Sequence, residues 1–176
     1  MQKSTLIIKD QMNQLLDLAT LRTAAVAKHN SYRSTHRSPR MTISDSLNNT
    51  AQAWAEYLAA NTLFQHSSPT QRNNAGENLY VSYTTATSVD ITALANAAVK
   101  NWYDEISAYN YANPAFSSQT GHFTQVIWKN STQLGSGVAQ GIKTINGIKY
   151  NAFYVVCQYA PAGNVQGQFA DNVLKP

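Results

Sequence analysis

The chain has 176 residues, 43% of them apolar and 12% charged, with a formal net charge of +4 and a pI near 9.2. That length suits one domain with a substantial core, the composition excludes a disordered chain, and no apolar run approaches the roughly 18 residues that span a bilayer. Arg33, Arg37 and Arg40 are the nearest thing to a basic cluster and read as a helix end and loop, so no nucleic-acid partner is expected, whereas the net charge leaves weak attraction to an anionic membrane surface open.

Residues 1–13 are a polar N-terminal extension; Thr5-Leu6-Ile7-Ile8 is too short for the apolar region of a signal peptide. From Leu15 a helical period runs through Leu18, Ala19, Ala25 and Val26, with His29 and Arg33 on related faces, until Ser38-Pro39 stops it. Ser44 or Asp45 caps a second helix that turns Leu47, Ala51, Trp54, Ala55 and Leu58 to one side and ends near Asn61. His66 to Asn74 reads as loop and Asn78–Val81 as a short strand. Asp90 caps a third helix with Leu94, Ala97, Ala98, Trp102 and Ile106 inward. Tyr109 to Gly121 is a long irregular segment, the kind that in a compact domain often carries function. His122 to Trp128 predicts a short helix. Gly135–Ile142 and Tyr150–Tyr159 alternate as strands, joined through Asn146-Gly147, a strong hairpin signal. Helices in the first two thirds and a hairpin in the last third imply an α+β or three-layer domain.

Spacing alone assigns little chemistry. The four histidines, His29, His36, His66 and His122, match no local zinc signature, and no phosphate loop or serine elbow occurs. Cys157 is the only cysteine, so no internal disulfide forms; this favours a reducing compartment without excluding secretion. Taken by themselves, Glu77 and Glu105 read as ordinary surface carboxylates.

Six motifs in order change that reading. His29-Asn30-Ser31-Tyr32-Arg33, Phe64-Gln65-His66-Ser67, Gly76-Glu77-Asn78-Leu79, Trp102-Tyr103-Asp104-Glu105-Ile106, Gly121–Trp128 and Val156–Asn164 resemble the signature segments of the CAP superfamily (cysteine-rich secretory proteins, antigen 5 and pathogenesis-related 1 proteins). The resemblance implies a single domain over 14–176 and a three-layer α-β-α sandwich with a central antiparallel sheet. It implies that His66, Glu77, Glu105 and His122 meet in one open cavity, with His66 and His122 as candidate zinc ligands and the glutamates orienting them or acting as catalytic candidates. The same four groups are equally able to hydrogen-bond one another with no metal. His29, Asn30 and Arg33 are expected to brace the fold, Trp54, Trp102 and Trp128 to lie in the core, and Cys157 to be a small buried apolar residue.

The segment Asn110–Phe116 is similar to the aromatic loop that binds sterols in some fungal relatives, which makes Tyr109, Tyr111 and Phe116 candidate lipid contacts; the other reading is that they anchor the loop. Three functions follow. One is a binder of sterols, fatty acids or other small lipids with an open cavity able to hold a divalent metal such as zinc, in a secreted effector or defence-type protein. A second is a hydrolase using metal or one of Ser67, Ser117 and Ser118. A third is a receptor-interaction effector without small ligand. The resemblance favours an extracellular location over an intracellular one, and leaves a homodimer across the cavity open.

Overall fold

The computed structural model describes residues 16–176. The polar segment 1–13 and the Leu15 start of the first helical period lie outside the described residues. Helix α1 (Leu18–Thr35) begins where the Asp17 carboxylate accepts the Thr20 amide at 2.9 Å, satisfying one of the orphan donors of a first turn. It ends before Ser38-Pro39, where the His36 and Arg37 amides close on the Arg33 and Ser34 carbonyls and Arg37 turns with φ 53°. After strand β1 (Thr42–Ile43) comes α2 (Asp45–Asn61). Ser44 caps it, its hydroxyl accepting the Leu47 amide, and Asp45 occupies the first turn, where a carboxylate complements the helix dipole.

Strand β2 (Gly76–Thr84) is longer than its apolar centre, because every one of its residues finds a partner on β4. Helix α3 (Ile91–Asp104) is capped by Asp90 on the Ala93 amide at 3.0 Å. Its buried stripe is Leu94, Ala95, Ala98, Val99 and Trp102. Ala97, expected inward, is exposed: at 100° per residue it sits roughly 130° from the centre of that stripe. Ile106 has left the helix for the 3-10 turn Glu105–Ala108. Helix α4 (Gly121–Ile127), strands β3 (Gln133–Ile145) and β4 (Ile148–Ala160) and the short α5 (Phe169–Asn172) complete the chain. The β3–β4 turn places Asn146 at φ 51° and Gly147 at φ 80°, the pair of left-handed residues that a two-residue hairpin turn requires.

The sheet order is β1-β3-β4-β2. β2, β4 and β3 are antiparallel, and β1 adds a two-residue parallel edge on β3. Helix α2 alone covers one face, where Ala51, Trp54 and Leu58 pack with Ala139, Ala152, Tyr154 and Val156. Helices α1, α3 and α4 cover the other, bringing Leu21, Ala25, Trp102 and Phe123 to Val138, Phe153, Val155 and Tyr159. The domain is therefore an α+β three-layer α-β-α sandwich. Covering both faces explains why β4 is apolar at consecutive positions rather than alternate ones. At Gly141 a Cβ would lie 2.6 Å from the Ala59 carbonyl oxygen, so the last turn of α2 rests directly on β3 there.

The polar residues of α1 tie these layers together. Arg33 is fully buried, and its guanidinium donates to the carbonyls of Pro39 at 2.8 Å, Val126 at 3.0 Å, Trp128 at 2.8 Å and Ser131 at 2.8 Å. Burial pushes its pKa down to about 10, which leaves it a cation at neutral pH. Asn30 exchanges both bonds of its amide with the backbone of Met41, at 3.0 and 2.7 Å. His29 joins the Ala25 carbonyl to the Tyr159 hydroxyl, at 2.8 and 2.9 Å. Arg33 thus fixes the C-terminal end of α4 and the chain that follows it, Asn30 the approach to β1, and His29 the end of β4. Cys157 is a buried free thiol 3.3 Å from the Ser136 hydroxyl, and burial pushes its pKa up to about 12, so it packs as a small apolar side chain. Trp54, Trp102 and Trp128 are all buried.

Candidate functional site

Two His–Glu pairs form at one end of the sandwich. The first comes from the loop after α2. The Trp54 indole donates to the Gln65 carbonyl at 3.0 Å and so pins the chain one residue before His66. The His66 Nδ1 meets Glu77 Oε1 at 2.8 Å. Glu77 stands on β2 opposite Gln158 of β4, whose Nε2 donates to Oε2 at 3.0 Å. The Ser67 amide donates to Oε1 at 2.9 Å and the Ser67 hydroxyl to Oε2 at 2.7 Å. Each carboxylate oxygen thus accepts two hydrogen bonds, and the side chain is 1% exposed. Burial pushes the Glu77 pKa up, but the bonds from His66, Ser67 and Gln158 outweigh it and the net direction is down.

The second pair comes from the turn after α3 and the start of α4. The His122 Nδ1 meets Glu105 Oε1 at 2.7 Å, while Oε2 accepts the amides of His122 at 3.0 Å and Phe123 at 3.1 Å. Glu105 therefore satisfies two orphan donors of the α4 N-terminus, a placement the helix dipole also favours. The arrangement fixes the tautomers. A carboxylate accepts only from a protonated nitrogen, so in the neutral ring Nδ1 carries the hydrogen and Nε2 keeps a lone pair. Among the described residues neither Nε2 has a hydrogen-bond partner.

Both imidazoles line one cleft of about 220 Å³ with Glu77, Asn78, Phe116, Ser118, Gly121 and Asn164. Past His66, Glu77 and Asn164 a second hollow of about 300 Å³ continues to Arg72, Gln125 and Gly163. Two asparagines frame the floor and were not singled out from the sequence. Asn78 donates to the His122 carbonyl and the Tyr159 hydroxyl, both at 3.1 Å. Asn164 donates to the Gly121 carbonyl at 2.9 Å and accepts from Thr124. Both stand inside the quoted motifs, but only their three-dimensional partners reveal that they brace His122. Among the described residues no set of three or more His, Cys, Asp or Glu side chains is placed to hold a metal ion. Of the His, Cys, Asp and Glu groups described, the two Nε2 atoms are the free donors a cation here would meet. Their chemistry fits, since each ring donates its other N–H to a carboxylate.

The serine candidates do not pair with either histidine. Ser67 is buried and donates to Glu77, Ser117 accepts the Gln119 amide, and Ser118 lines the cleft without a hydrogen bond to His122 among the described residues. The aromatic candidates divide. Tyr109 is buried edge-on against Phe123 and Tyr111, with ring centres 5.5 and 4.8 Å apart. Tyr111 is half-buried, and burial pushes its hydroxyl up to about 12. These two anchor the loop. Phe116 is 56% exposed at the rim of the cleft, over Gly121.

Comparison with known proteins identifies the family and the fold. The family model described as "CAP: Cysteine-rich secretory protein family" matches residues 26–159. The chain is 38% identical over 151 residues to Golgi-associated plant pathogenesis-related protein 1 of Homo sapiens, covering 84% of this chain and 88% of that protein. It is 39% identical over 154 residues to Protein PRY2 of Saccharomyces cerevisiae, where the match takes in 86% of this chain but only 40% of the relative. Among solved structures, that of NaASP2 with Zn2+ superposes with a TM-score of 0.65 at 26% identity, covering 89% of this chain and 85% of the other.

Proposed function

This chain belongs to the CAP family of cysteine-rich secretory proteins, and from that premise we propose that it is a ligand-binding module whose cleft takes a divalent cation such as zinc between His66 and His122. The observation that carries the reading is the matched pair of Nδ1–carboxylate bonds, which leaves a lone pair free on each of two imidazoles that line one cleft. A cation so held would supply a fixed positive charge for the polar end of a ligand. With only two imidazole donors it would bind exchangeably. Glu77 and Glu105 orient the rings and fix their tautomers. The zinc named with NaASP2 supports the same choice of ion.

The carboxylates also favour binding over hydrolysis. A general base needs a free lone pair and a suitable pKa, but all four acceptor positions of Glu77 are filled and its pKa is lowered. Glu105 Oε2 holds the start of α4 and Oε1 the His122 ring. The ligand class that suits a polar cleft with one apolar ring at its rim is an amphipathic small lipid, a sterol or fatty acid, with its apolar body against Phe116. Proteins of this family are secretory by description and one relative is Golgi-associated; the proposed setting for this chain is accordingly the secretory route or the cell exterior.

The test is calorimetric titration of metal-free protein with zinc, beside the variant His66→Ala/His122→Ala. Saturable binding lost in the variant is expected. Undiminished binding in the variant, or none in the parent, overturns the proposal.

A further inference from the structure

The β3–β4 hairpin carries a feature unrelated to the cleft. Contact with α2 reaches Gly141, where the Ala59 backbone lies against the strand. Strand β2 ends at Thr84, opposite Asn151. The pairs beyond, Lys143 with Tyr150, Thr144 with Lys149 and Ile145 with Ile148, form a two-stranded ribbon closed by Asn146-Gly147. Its apolar residues are open: Ile142 is 55% exposed, Ile145 36% and Ile148 52%. Residues directly opposite share a face and successive ones alternate. Ile145 and Ile148 thus crown one face, above Lys143 and Tyr150, while Ile142 lies on the other face with Thr144 and Lys149.

An isoleucine-bearing ribbon with apolar residues on both faces is poorly covered by a flat partner, which reaches one face only. It is well covered by insertion into a medium. The charges are complementary to one kind of medium. Lys143 and Lys149 sit one on each face behind the tip, and no Asp or Glu occurs from residue 106 to 170. The neighbouring loop 84–89, tied to the hairpin by Asn151 donating to the Ala86 carbonyl at 2.7 Å, carries no charge either. From Ile145 to Ile142 is three residues, about 10 Å along a strand, comparable to the depth that interfacial amphipathic segments reach. The lysine stems can lie along apolar surface with their ammonium groups at the headgroups.

We infer that the tip of the β3–β4 hairpin, Ile142 to Lys149, is a wedge that docks the protein on an anionic lipid surface. Isoleucines 145 and 148 enter the headgroup–acyl boundary first, and Lys143 and Lys149 contact lipid phosphate and carboxylate groups. The orientation follows from the fold: the sandwich stands with its long strands towards the membrane.

The experiment is flotation of the full chain with phosphatidylcholine vesicles, with and without about 30 mol % phosphatidylserine. Expected is binding to the anionic vesicles, with partitioning about 30-fold weaker for Lys143→Gln/Lys149→Gln, as two lysines near a charged surface are worth. Ile145→Ser/Ile148→Ser should lose binding without changing the thermal midpoint, since both side chains are exposed. Ile148→Trp should show a blue-shifted emission on anionic vesicles only. The inference is overturned if the parent does not float, if Ile145→Ser/Ile148→Ser floats as the parent does, or if sedimentation shows parent self-association that this variant abolishes, which would make a second copy the occupant.

Discussion

The core under α1 and the cleft at the start of α4 each hold two histidines, and the difference between them lies in the second ring nitrogen. In the core, His29 joins the Ala25 carbonyl to the Tyr159 hydroxyl and His36 joins the Leu174 carbonyl to the Tyr103 hydroxyl, so both nitrogens of both rings are used. In the cleft, His66 and His122 use Nδ1 alone, and on a carboxylate. A ring satisfied at both ends by neutral partners holds backbone and hydroxyl together. A ring satisfied at one end by an anion is oriented and left with an open lone pair. The same residue type thus serves stability in one region and, under the proposed function, ligand binding in the other.

The largest expected effect breaks the core. Arg33→Met keeps much of the volume but removes the guanidinium bonds to the carbonyls of Pro39, Val126, Trp128 and Ser131, of which Trp128 alone keeps a backbone donor among the described residues, the Ser131 amide. Unpaired buried polar groups are expensive, and a loss of about 4 kcal/mol is expected. Urea unfolding monitored by tryptophan fluorescence measures it. His66→Ala/His122→Ala should change stability by less than about 1 kcal/mol, because these rings border the cleft. Equal losses in the two variants would erase the distinction between the regions.

The next effect is a pH dependence that belongs to the core. Burial pushes the His29 pKa down from 6.5 to about 4, and burial lowers that of His36 as well. Between pH 6.5 and 4 the unfolded chain then binds more protons than the folded one, so stability falls as pH falls through that window and is whole above it. His29 alone contributes about 3 kcal/mol to that loss. Glu77, with its pKa lowered, adds a loss of the same sign only below the ordinary carboxylate range near 4.5. Unfolding free energies at pH 7.0 and 5.0 should therefore differ in the parent, and the difference should shrink in His29→Gln. An unchanged slope in that variant would move the titration elsewhere.

Much of the core was legible because it is periodic. Leu94, Ala98 and Trp102 declare a helical face, and Asn146-Gly147 declares the hairpin. Ala97 misled because alanine suits either side of a helix and only the angular position decides. The His/Glu set was legible only through its motifs. His66 and Glu77 are eleven positions apart and Glu105 and His122 seventeen, spacings that no helix or strand repeat would join. The division of the 109–116 segment was invisible for a further reason. Tyr109, Tyr111 and Phe116 carry similar rings, and which of them faces Phe123 and which the cleft depends on the path of an irregular backbone.

A middle-sized effect sharpens the cleft side. Glu77→Gln puts an amide where four donors converge, so at least one of them faces another N–H. Stability should fall by about 1–3 kcal/mol, and zinc affinity, read by calorimetry, by about 10–100-fold as the His66 ring loses its orienting anion. Zinc affinity equal to the parent's would mean that the carboxylate does not tune the ring.

The smallest effect on stability should be that of Phe116→Ala, and it separates anchoring from ligand contact within one loop. Tyr109 is 8% exposed and wedged against Phe123, so Tyr109→Ala should cost about 3 kcal/mol as a large-to-small change in a packed site. Phe116 is 56% exposed, with its ring edge over Gly121, and its loss should change stability by no more than about 0.5 kcal/mol. If the rim of the cleft receives the apolar body of a small lipid, the same substitution removes part of that contact. Burying one side of a phenyl ring contributes about 1–2 kcal/mol, so sterol or fatty-acid affinity should fall about 5–30-fold while the thermal midpoint stays put. Displacement of a fluorescent fatty acid measures the first and differential scanning fluorimetry the second. A stability loss as large as that of Tyr109→Ala would make Phe116 a third anchor, and unchanged lipid affinity would take the ligand away from this rim.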